Sequence, residues 1–71
     1  MLYILKIKGT TTIPDFVQIR DEQMILLAYF RLSQQEIGLK KNNLETEAKG
    51  IMNLLESIPY GKIYKYYSNN E

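Results

Sequence analysis

Cysteine and histidine are both absent from this 71-residue chain. Without cysteine there is no disulfide framework and no thiol nucleophile. Without histidine, the commonest general base and the commonest metal ligand are missing. A charge excess is lacking too. Nine Lys and Arg against eight Asp and Glu leave a net charge of +1, which speaks against a strongly basic nucleic-acid module and against an acidic tail. Long apolar runs are also missing: the longest internal one, Met24 to Phe30, falls far short of the roughly 20 residues that cross a bilayer. The opening stretch is interrupted by Lys6 and Lys8. It has no basic segment before it and no small-residue cleavage pattern after it, so it does not read as a signal peptide. A cytoplasmic protein with no membrane partner is the expectation.

Glycine is sparse and scattered. Gly9, Gly38, Gly50 and Gly61 form no phosphate-cradling loop, and the carboxylates show no calcium-loop spacing. No cofactor and no metal are expected. Catalytic constellations are equally thin. Thr10, Thr11 and Thr12 lie near Lys8 in sequence, but a polar turn beside a strand end is the ordinary reason for them. Asp21 and Glu22 read as a solvated hairpin turn, and Asp15 after Pro14 as a turn former. The chain is not expected to be an enzyme.

What is present is the pattern of one small globular domain over 1–71, with 45% apolar residues. Residues 2–8 alternate as a first strand, with Tyr3, Leu5 and Ile7 on one face and Leu2, Ile4, Lys6 and Lys8 on the other. A loop over 9–15 leads to a second strand, Phe16–Arg20. After the Asp21-Glu22 break, Gln23–Leu32 reads as a third strand, paired to the second as a hairpin. Residues 33–42 have no sustained period and read as a loop with one helical turn at Ser33–Ile37. Leu44, Ala48, Ile51, Leu55 and Ile58 then recur at helical spacing. Asn43 is the natural N-cap of this helix, and Pro59 marks its end. Gly50 costs about 1 kcal/mol relative to Ala in a helix interior and suits a close approach. Lys62–Tyr67 reads as a fourth strand, and Ser68–Glu71 as a frayed tail.

The order β-β-β-α-β predicts a two-layer α+β domain: a four-stranded mixed sheet with one helix packed on one face. The expected spatial order is 3-2-1-4, with the fourth strand parallel to the first across the helical crossover.

Both rows of the third strand are apolar: Met24, Leu26, Ala28 and Phe30 on one side, Ile25, Leu27 and Tyr29 on the other. A half-exposed antiparallel strand alternates instead, so something has to cover each face. One helix covers one face only. The other is expected to display Leu2, Ile4, Phe16, Met24, Leu26 and Phe30 as a protein interface, unless a loop over 9–15 or 33–42 folds back as a lid. A homo-oligomer or a protein partner is therefore expected, with the chain acting as a non-catalytic interaction module or accessory subunit. A second reading rests on the last strand. Tyr64 and Tyr66 interleave with Lys62 and Lys65, the pairing of stacking rings with positive charge that single-stranded nucleic acid, RNA included, requires. Lys and Tyr are also residues that an AT-rich coding sequence favours, which is a plainer source of the same pattern.

Overall fold

The computed structural model describes residues 1–67; the expected tail 68–71 lies outside the described residues. Four strands form one sheet: β1 (Leu2–Ile7), β2 (Phe16–Arg20), β3 (Leu26–Arg31) and β4 (Ile63–Tyr66). Two helices, α1 (Gln35–Lys41) and α2 (Ala48–Ser57), make the second layer, each entered through a short 3₁₀ turn. The spatial order is β3-β2-β1-β4, the order expected from the sequence.

The fourth strand corrects that expectation in direction. It runs antiparallel to β1, so the sheet is antiparallel throughout rather than mixed. The cause is the second helix. Residues 33–42 are not a loop: they carry the chain back along the sheet as α1 before α2 returns it. Two crossings reverse the entry of β4. Only Gly38 and Leu39 are buried in α1, too few to leave a helical period in the sequence.

Asn43 has a different role from the one expected. It adopts φ 61°, in the left-handed region. Its N–H donates to Lys40 O, and the N–H of Leu44 donates to Leu39 O. These two bonds close a Schellman motif, with Asn43 as the left-handed residue after α1 and Leu39 and Leu44 as its apolar pair. The N-cap of α2 is instead Glu47, with no capping bond from its side chain. At the other end of α2, Ile58 is extended (ψ 147°) because Pro59 follows it.

The core lies between the layers. Ile4, Val17, Ile19, Ala28 and Phe30 from the sheet meet Leu39 of α1 and Ile51, Leu55 and Ile58 from α2 and its end. Gly38 and Gly50 both permit close approach. A Cβ at Gly38 would collide with the Phe30 ring, and one at Gly50 with the Tyr66 hydroxyl. Gly38→Ala therefore tests the packing of α1 on β3. Alanine favours the helix by about 1 kcal/mol, but the overlap with a buried ring costs about 1–3 kcal/mol. We expect a net fall in the urea midpoint; a variant as stable as the parent would show that α1 yields freely.

Candidate functional site

The two sheet faces are set by the register. Ile4 lies opposite Ile19 on one side and Tyr64 on the other, and Lys6 lies opposite Val17. The row Leu2, Ile4 and Lys6 of β1 therefore faces the helices, and Tyr3, Leu5 and Ile7 face away. This corrects the expected interface set. Leu2, Ile4 and Phe30 belong to the helix-covered side, with Ile4 and Phe30 in the core. Of the residues proposed for the open side, Phe16, Met24 and Leu26 are there. The sequence signal missed this because the inward row of β1 contains a lysine while its outward row is wholly apolar.

Lys6 reconciles the two. Its side chain is only 7% exposed, and its Nζ donates to Leu55 O at 2.7 Å. That carbonyl is in the last turn of α2, where unpaired acceptors favour a cation. The same ammonium lies 4.6 Å from the centroid of the Tyr60 ring, and Lys8 Nζ lies 4.9 Å from it. Tyr60 donates its hydroxyl to Asp15 Oδ2 at 2.7 Å, and Asp15 Oδ1 accepts the Gly9 N–H at 2.7 Å. The cluster ties β1, the 9–15 loop and the turn after α2. Within it Lys6, Tyr60 and Asp15 each have a hydrogen-bond partner.

The open face reads as three cross-strand rows: Lys65, Tyr3, Arg20 and Leu26; Ile63, Leu5, Gln18 and Tyr29; Ile7, Phe16 and Arg31. Phe16 and Tyr29 stack face to face, with centroids 4.8 Å apart and planes 11° from parallel. The charged side chains that the strands place on this face are Arg20, Arg31 and Lys65, all cations. Arg20 Nη1 is engaged by Met24 O at 3.0 Å. No lid lies over it from 33–42, which joins the helix layer instead. The 9–15 loop makes its polar contacts with itself, with Tyr60 and, through Asp15 O accepting the Leu32 N–H, with the residue that follows β3.

Exposed apolar surface is concentrated at β3. Met24, Ile25, Leu26, Leu27 and Tyr29 are five of the ten exposed large apolar side chains among the described residues. Ile25 is 60% exposed and Tyr29 51%. The strand is shorter than expected because the Asp21 carboxylate captures the N–H groups of Gln23 and Ile25 and Met24 turns into the left-handed region (φ 67°). A register shift beside Arg20 sets Leu26 opposite it, with Leu27 as the extra residue of a bulge. The alternation expected across Met24 to Phe30 is thereby broken.

The lysines and tyrosines of the last strand do not form one platform. Tyr64 and Tyr66 pack against the core, and the Tyr66 hydroxyl donates to Glu47 Oε2 at 3.0 Å. Burial, followed by that bond, pushes the Tyr66 phenol up. Lys65 points to the opposite face, beside Tyr3, and Lys62 is exposed ahead of the strand. A period of two separates neighbours across the sheet, so residues adjacent in sequence were divided. Among the described residues no helix is long and apolar enough to cross a membrane, and no three His, Cys, Asp or Glu side chains gather as a metal site.

The Asp15 carboxyl is held below its ordinary value of 3.8, first by the Gly9 N–H and then by the Tyr60 hydroxyl, with Lys8 and Lys6 adding to both. A lowered carboxyl in the folded state contributes stability that is present above the unfolded value and is lost as pH falls through the folded one. Asp15→Asn is thus expected to be less stable at neutral pH and to lose less stability on acidification below about pH 4. Urea midpoints taken from neutral to strongly acid pH measure this; parallel pH profiles for parent and variant would refute it.

In comparisons with known proteins the chain matches no family model, no curated protein and no solved structure.

Proposed function

We propose that this protein is a non-catalytic association module of the cytoplasm, working as a homodimer or as an accessory subunit, and that the β3 side of the sheet is its contact surface. The observation that carries the reading is the clustering of exposed Leu26, Leu27 and Tyr29 on the terminal strand β3 with exposed Met24 and Ile25 in the turn that leads into it. Scattered exposed apolar residues are ordinary, but a contiguous patch on a small domain favours a macromolecular contact. Met, Tyr and Arg, all present here, are enriched at such contacts. A small domain without disulfides also gains stability from association.

A second reading has its own observation. The strand cations on the open face, Arg20, Arg31 and Lys65, stand among Tyr3, Phe16 and Tyr29 with no strand carboxylate between them. That arrangement suits single-stranded nucleic acid better than the Lys62, Tyr64, Lys65 and Tyr66 set does, since Tyr64 and Tyr66 are occupied by the helix layer. The first reading is preferred because aliphatic side chains (Leu5, Ile7, Leu26, Ile63) outnumber the rings (Tyr3, Phe16, Tyr29) there.

Light scattering at two protein and two salt concentrations separates them. Self-association through apolar surface predicts twice the chain mass at both salts, and Leu27→Glu should weaken the dimer at least about tenfold, about 1.4 kcal/mol, with unchanged circular dichroism. A monomer at every concentration would refute self-association. Salt-sensitive capture of a single-stranded oligonucleotide by that monomer would favour the second reading.

A further inference from the structure

Resting on the self-association reading, we propose that two copies of this chain join edge to edge along β3, antiparallel about a twofold axis at Tyr29, turning two four-stranded sheets into one of eight strands.

Among the described residues the backbone of β3 has one side free, because it is the last strand of the sheet. The Leu32 N–H donates to Asp15 O at 2.9 Å, in line with the register that pairs Phe16 with Arg31. Antiparallel ladders alternate bonded and non-bonded pairs. Phe30 and Ala28 therefore bond inward to Val17 and Ile19, while the N–H and C=O groups of Tyr29 and Arg31 point away from β2. These outward groups offer an added extended strand the hydrogen-bond pattern of a further ladder, which a helix does not match.

The two edges are guarded unequally: β3 has the bulge at Leu27 and Arg31 at its end, while the other edge is short and flanked by lysines. β4 is four residues long, carries Lys65 and is preceded by Lys62, the protection that natural edges commonly use. β3 is six residues long and contains neither lysine nor proline. Its apolar residues face both sides of the sheet, so an added strand must be apolar on both sides as well. A second β3 has that character.

The twofold at Tyr29 gives complementary neighbours. Tyr29 meets the partner's Tyr29 on the open face. On the helix side Ala28 meets the partner's Phe30, small against large. Leu27 lies opposite the partner's Arg31. The two Arg31 side chains are then four residues apart along the strands, about 13 Å at about 3.3 Å per residue, beyond the Debye length of about 8 Å at physiological salt. Ile37, 58% exposed on α1, lines the groove beside this edge with Tyr29, Phe30 and Arg31 and adds an apolar contact in the helix layer.

The absence of cysteine makes single-cysteine variants unambiguous. Across a bonded antiparallel pair the Cα atoms are about 5.5 Å apart, within the disulfide range of about 4.4–6.8 Å. Tyr29→Cys is expected to form a covalent dimer under mild oxidation at least ten times faster than Ile63→Cys on the far side of the open face. The register is read separately with two exposed positions. Leu27→Cys and Arg31→Cys chains should cross-link when mixed and stay largely uncoupled alone. A dimer in which Ile63→Cys couples as fast as Tyr29→Cys, and the mixed pair does not couple, would overturn edge pairing and leave self-association through the face. A monomeric parent chain would overturn both.

Discussion

A buried lysine decides how this domain is assembled. Lys6 occupies the inward row of β1, and an ammonium placed there is stable only if acceptors come to it. The Leu55 carbonyl at 2.7 Å and the Tyr60 ring at 4.6 Å supply them, and the bond to the helix carbonyl contributes about 1.5–3 kcal/mol. Three features depend on this contact. The end of α2 is fixed over β1. The turn after α2 is drawn against the same strand, where the Gly61 N–H donates to Lys6 O at 2.8 Å. β4 therefore starts beside β1 in the right place to pair with it. Asp15, held by Gly9 and Tyr60, extends the same tie to the β1–β2 connection.

The second constraint is topological. Two helices lie between β3 and β4, and two crossings bring the chain back antiparallel. The joint between them is made by Asn43 in the left-handed region and by Leu39 and Leu44 around it. Gly38 lets α1 press on Phe30, and Gly50 leaves room for the Tyr66 hydroxyl to reach Glu47. The helix layer is thus held at both ends of the sheet by glycine contacts and at its middle by the aliphatic core.

All of this covers one face. The opposite face keeps apolar and cationic side chains exposed, and β3 keeps a free edge as well. The proposed association follows from that imbalance. A sheet whose terminal strand is apolar on both sides and free of lysine favours another strand beside it, while the lysines near β4 disfavour the same event at the other edge.

Much of this was legible in the residues. Strand alternation, the helical spacing of Ala48, Ile51 and Leu55 and the stop at Pro59 determine the four strands, the body of α2 and the two-layer class, because each depends on local periodicity. The order 3-2-1-4 was also legible, although the single parallel crossover expected with it is replaced by two helical crossings and an antiparallel β4. Other features are decided only by tertiary contact. α1 buries too few residues to show a period, and without it the direction of β4 cannot be assigned. The inward face of β1 contains Lys6, and only the Leu55 carbonyl and the Tyr60 ring make that row the buried one. The bulge at Leu27 breaks an alternation that looks continuous in sequence. Tyr64 and Tyr66 sit beside Lys65 in the chain and across the sheet from it in space. Side-chain direction is local, but which direction is inside depends on what packs there.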